Sequence, residues 1–209
     1  MDELSRRFAI EDVGHSAGVF DPEKLAWMNR HYMKVAAPAR LSAEAAPFFV
    51  SRGYVRQRTD EAMEFLGSLL PMVVGSVDRL EEMPDRVHFL FEYDARRSLT
   101  RPDVAEVLHE PGAREVITAL AQELQQDGRL DRETFRAAAG RVKQRTGQKG
   151  RALFHPIRVA LTGESGGPEL DLAVPAIDRG AALSSSAGVS PIVGNRERAE
   201  AFARAIDEA

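Results

Sequence analysis

The apolar positions of this chain recur at helical spacing along most of its length. Asp21-Pro22 forms a start signal, an N-cap followed by a proline at the first helical position. Beyond it Leu25, Met28, Tyr32 and Val35 step by three, four and three and line one helix face. Thr59 caps a second run, Met63, Leu66, Leu70 and Val73, in which Pro71 is expected to kink or divide the helix. Asp85 is expected to open a short helix through Val87 and Leu90. A later face holds Ala113, Ile117, Leu120 and Leu124 and stops at Asp127-Gly128. Asp131 caps the next, with Phe135, Ala138 and Val142, ending near Gly147. The last starts at Asn195 and carries Ala199, Phe202 and Ile206.

Strand signals are thin, because no hairpin dipeptide stands between two alternating apolar runs. The pattern predicts an all-α fold of two consecutive helical bundles, residues 1–105 and 106–209. The division falls in the proline-rich stretch from Arg101-Pro102 to Pro111-Gly112. Ala181 to Pro191, with Ser184, Ser185, Ser186 and Gly188, reads as a flexible loop by composition.

Charge changes this picture more than composition does. Between Glu133 and Glu164 there is no acidic residue, while Arg136, Arg141, Lys143, Arg145, Lys149, Arg151 and Arg158 supply seven cations. The net charge of −4 therefore leaves about −11 on the rest, and phosphate binding depends on such local footprints more than on the total. A solvated basic helix face is the alternative. The chain has no cysteine, and its opening MDELSRRF lacks the basic-then-apolar order of a secretory signal. No stretch approaches the roughly 20 apolar residues of a membrane span. These features point to a cytoplasmic protein without a membrane partner.

Candidate chemistry is sparse. His15, His31, His88, His109 and His155 form no helical pair and no HExxH, so no metal site is expected. There is no GxSxG elbow, and Gly163, Gly166 and Gly167 lack the GxxxxGK[ST] or GxGxxG context of a phosphate cradle. The residues alone read as a binding module.

Three blocks go further. Residues 20–33, FDPEKLAWMNRHYM, resemble the FDxEKLxWxNxxY segment of glutamyl-tRNA synthetases of the bacterial type. Residues 146–163, TGQKGRALFHPIRVALTG, followed by GPEL at 167–170, are similar to that family's TGxKGxxLxxPLRxALTG…GPxL stretch. Residues 77–84 and 87–91 look like the segment between them, and the blocks stand in family order. The resemblance implies the all-helical anticodon-binding region, bound to tRNA and to tRNA(Glu) in particular, where archaeal and cytosolic eukaryotic relatives use β-barrels. The family's HIGH-like and KMSKS-like ATP motifs are absent. Leu4-Ser5-Arg6-Arg7 fits the family's xELxxRF helix better than the second of them. ATP, Mg²⁺ and glutamate, used by the parent enzyme, are therefore not expected to bind here. The catalytic half of the same polypeptide is a possible partner; a stand-alone helical RNA-binding or protein-interaction module derived from the synthetase is the rival.

By resemblance, Arg158 reaches the anticodon, Gly167, Pro168 and Leu170 pack against its bases, and Lys24, Asn29 and Arg30 belong to a stem-contact region. Lys143, Arg145, Lys149 and Arg151 are the expected phosphate contacts. Leu25, Trp27 and Met28 are read as core. Relatives carry an arginine where this chain has Ser76, which cannot supply a bidentate contact.

Overall fold

The computed structural model describes residues 6–9, 11, 14, 21–126 and 128–208. Met1, Leu4, Ser5, His15, Phe20 and Asp127, used in the sequence readings, lie outside them. The helices are α1 (Pro22–Val35), α2 (Pro38–Ser51), α3 (Asp60–Val73), α4 (Met83–Arg86), α5 (Ala95–Leu99), α6 (Pro102–His109), α7 (Ala113–Glu123), α8 (Arg132–Thr146), α9 (Arg151–Thr162), α10 (Leu170–Ala181) and α11 (Asn195–Asp207). Two 3-10 turns, Leu80–Glu82 and His88–Leu90, flank α4. Among the described residues the only strand-like pairing is one isolated antiparallel bridge, Val55 to Val189. The all-α expectation holds.

The caps explain the boundaries. Asp21 accepts from the amides of Glu23 and Lys24, and Thr59 accepts from Ala62. Asp131 and Thr134 form a reciprocal capping box, and Gly147 closes α8 at φ 72°, a conformation costly for any residue with a Cβ. Asp85 caps nothing: it lies inside α4, which begins two residues earlier. Pro71 does not divide α3, because it sits in the last turn and the helix ends at Val73.

The helices fall into two consecutive groups. In the first, α2 packs on α3 and α4; in the second, α7 is the hub against which α8, α9 and α11 pack. Val116, Ile117 and Leu120 of α7 are completely buried there. The break between the groups precedes α5, which packs on α11. Residues 105 and 106 are consecutive positions of α6, so the proline-rich stretch is a helix with Pro102 at its start, not a linker. α10 joins the groups by packing on both α3 and α8.

Two expectations fail for physical reasons. Leu25, Trp27 and Met28 are not core: they are 45%, 62% and 38% exposed, as are Tyr32 and Val35 more fully. Periodicity reports that a helix has an apolar face, not that another element covers it, and only Met33 of α1 is buried. The loop after α10 is irregular but tied down. Gly188 O accepts from the amides of Arg56 (2.6 Å) and Gln57 (3.2 Å), and Ser190 N donates to Tyr54 O at 2.9 Å. Ser184 N donates to Glu61 at 3.0 Å. Composition describes the loop's own preferences and is silent about the segment it bonds to.

Candidate nucleic-acid interface

The turn between α9 and α10 is built by neighbours from three other elements. Arg158 Nη1 donates to Pro168 O at 2.7 Å, so the half-buried guanidinium holds the turn's far end. Burial lowers the Arg158 pKa. His88 Nε2 meets Glu164 Oε1 at 2.9 Å, and Ser165 Oγ donates to Asp103 Oδ2 at 2.7 Å. Arg101 reaches both Asp103, at 3.1 Å, and Glu164, at 3.3 Å. The Glu164 hydrogen bond, opposed in part by burial, raises the His88 pKa to about 9. Hydrogen bonds from Arg101 and then Ser165 hold Asp103 at about 2. Gly163 starts the turn at φ 74°, where a Cβ would lie 2.4 Å from Ser98 Oγ.

This turn forms one wall of an open cleft of about 580 Å³. Gly166, Gly167 and Pro168 line it together with Met72 of α3, Ser76 just beyond that helix, Arg86 and His88. Ser76 donates its hydroxyl to Val73 O at 3.0 Å and so has only lone pairs left to offer.

The sequence-predicted residues divide into three sets. Arg158, Gly167 and Pro168 are brought together at the turn, whereas Leu170 is buried, 7% exposed, and contributes to the core. The basic segment is less positive than its sequence, because carboxylates from elsewhere face it. Asp171 pairs with Arg136, Glu123 with Arg141 at 2.7 Å, and Glu110 with Arg151 at 3.6 Å. Arg145 reaches Glu123 only at 4.0 Å. Lys143 and Lys149 are exposed with no ion pair among the described residues. Lys24, Asn29 and Arg30 lie on α1, which contributes nothing to the cleft; Arg30 is paired with Asp78 at 2.6 Å.

Sequence reasoning did not find Arg86, His88, Arg101, Asp103, Glu164 or Ser165 as site residues. They carry no shared motif, and Ser165 and Asp103 stand 62 positions apart. Phe154 was also passed over; it is 42% exposed on α9, one turn before Arg158. Among the described residues no group of three or more His, Asp or Glu is placed to hold a metal ion, and no helix is long and apolar enough to cross a membrane.

Residues 40–184 match the family model described as an anticodon binding domain. The chain is 31% identical over 173 residues to glutamate–tRNA ligase 1 of Caldicellulosiruptor saccharolyticus, which spans 81% of this chain and 35% of the relative. It is 34% identical over 179 residues to the glutamate–tRNA ligase of Sulfurihydrogenibium sp., across 84% and 36%. A crystal structure of a glutamate tRNA ligase from Elizabethkingia meningosepticum superposes with a TM-score of 0.71 over 99% of this chain and 36% of that one. At 16% identity that likeness speaks for the fold alone. The chain thus spans about 35% of the length of these relatives. With more than half its residues inside the matched region, the chain belongs to the anticodon-binding domain family, in the form found in glutamate–tRNA ligases.

Proposed function

We propose that this chain binds tRNA, tRNA(Glu) before others, and supplies the anticodon-reading part of a glutamate–tRNA ligase. The observation that carries the reading is one of placement: every residue lining the cleft lies within the matched 40–184 region. The cleft has the features that recognition of single-stranded RNA uses, guanidinium groups and glycines that let a base approach the backbone. ATP, magnesium and glutamate act outside these residues in this reading, which the missing ATP motifs support. The exposed face of α1 is where the catalytic half of the same polypeptide would meet this region.

The test is binding of a tRNA(Glu) transcript and an unrelated tRNA across a salt series. The expected result is a linear fall of log affinity with log salt, about 0.7–0.9 in slope per phosphate contact, and tighter binding of tRNA(Glu). Binding of neither tRNA overturns the proposal. Pyrophosphate exchange dependent on glutamate and ATP by this chain alone would overturn the assignment of catalysis elsewhere.

A further inference from the structure

The cleft beside the α9–α10 turn contains three carboxylates, and each already has a cation. Arg52 pairs with Asp85, Arg101 with Asp103, and His88 with Glu164. His88 is protonated at neutral pH, so all three pairs are ionic there. One cation is left over. Arg86, the last residue of α4, lines the cleft and is exposed, and among the described residues it has neither an ion pair nor a side-chain hydrogen bond. Among the residues that line the cleft, Arg86 is therefore the cation without a partner among the described residues.

What it can hold follows from what surrounds it. A phosphate held by Arg86 would bring only acceptors into a cleft whose other charged oxygens, on Asp103 and Glu164, are acceptors as well. A neutral base is not so limited. Its amino groups can use lone pairs left on those carboxylates, while a guanidinium donates two parallel bonds to a pair of adjacent acceptors. Met72 and the Gly167–Pro168 backbone offer it an apolar wall. The volume, about 580 Å³, lies within the roughly 300–1,000 Å³ of small-ligand sites.

We propose that Arg86 is the base-selecting residue of this cleft, its guanidinium donating to the acceptor edge of one unstacked base of the anticodon loop seated against Gly167–Pro168. The inference rests on the tRNA-binding reading above and adds the residue that discriminates. Among the described residues Arg86 makes no ion pair or side-chain hydrogen bond that its loss would break, so its variants are expected to fold with an unchanged melting curve.

The experiment measures Kd for the unmodified chain, Arg86→Gln and Arg86→Lys at one fixed salt concentration. The ligands are a tRNA(Glu) transcript and three transcripts, each with one anticodon base changed. Arg86→Gln should weaken the matched transcript by about 5- to 150-fold, the worth of one bidentate base contact. It should weaken one of the three altered transcripts by less than about threefold, because that transcript has already lost the partner. Arg86→Lys keeps the charge and should keep the salt slope while losing discrimination. Equal weakening of all four transcripts by Arg86→Gln, with a shallower salt slope, identifies a phosphate contact and overturns the proposal. So does no change at all, which leaves tRNA binding by the chain standing. Failure of the unmodified chain to bind any transcript overturns both.

Discussion

The guanidinium of Arg198 lies 4.5 Å from the centre of the Tyr93 ring, and the Tyr93 hydroxyl is 3.0 Å from the Arg198 carbonyl, placed to donate to it. Arg198 is completely buried, yet no carboxylate among the described residues forms an ion pair with it. Its donors go to four carbonyls instead: Val193 at 2.7 Å, Phe89 and Leu161 at 2.9 Å, and Leu90 at 2.8 Å. Burial lowers its pKa to about 10, so it stays charged at neutral pH. The contact ties α11 to the end of α9 and to the 3-10 turn that carries His88. The end of α9 that leads into the turn and the 3-10 turn that carries His88 are thus held by one buried cation.

Arg198→Ala should destabilise the chain by more than about 3 kcal/mol, since several buried carbonyls lose their only side-chain donor at about 1 kcal/mol or more each. Denaturant unfolding measures it, and a loss below about 1 kcal/mol would show that water replaces the guanidinium. Tyr93→Phe, which keeps the ring under the cation, should cost only about 1 kcal/mol.

His88 makes stability depend on pH in a defined window. Its folded pKa of about 9 lies above the usual value near 6.5, so the folded state holds the proton more tightly. The resulting stabilisation is complete below about pH 6.5 and is lost as pH rises through about 9. Thermal melting across that range should show a fall that Glu164→Gln flattens. Equal slopes for the two proteins would sink the assignment to this pair.

Gly188 and Gly53 separate backbone strain from collision. Both have positive φ, 77° and 74°, but a Cβ at Gly188 would lie 2.5 Å from Gln57 O whereas one at Gly53 meets nothing within 4 Å. Gly53→Ala should cost about 1 kcal/mol and Gly188→Ala distinctly more, up to about 3 kcal/mol. Equal costs in denaturant titrations would mean that the loop moves aside without loss.

The unequal pairing of the basic segment gives an RNA-binding prediction. Lys143→Gln with Lys149→Gln should lower the salt slope by up to about 0.7–0.9 per lysine. Arg136→Gln and Arg141→Gln, which leave Asp171 and Glu123 only the longer 4.0 Å contacts with Arg132 and Arg145, should weaken binding chiefly by unmasking negative charge. An unchanged slope after the lysine substitutions would place the phosphates elsewhere.

How much of this was legible depended on proline and on distance along the chain. α7, α8 and α11 could be read because their apolar faces run unbroken, and a capping box and a glycine bound α8. α2, α9 and α10 were hidden by Pro47, Pro156 and Pro175 inside them. A proline reads as a breaker locally, but packing of the remaining apolar face offsets one lost backbone bond. At the site, Arg158, Gly167 and Pro168 were visible as a motif. His88 and Glu164, 76 positions apart, meet only once the fold exists. The seven cations could be counted from the sequence, but the carboxylates facing them could not.

The clasp between residues 53–59 and 184–190 also has a kinetic meaning. Thr59 donates its hydroxyl to Ala187 O across 128 positions. Closing a ring of that size costs about 4 kcal/mol of chain entropy, and no local helix contact recovers it. The helices can nucleate quickly from neighbours in sequence, whereas the ring closes only after both groups have found each other. Refolding should therefore be paced by this closure and not by helix formation. The α2–α3 connection and the α10–α11 connection then stand or fall in a single cooperative step.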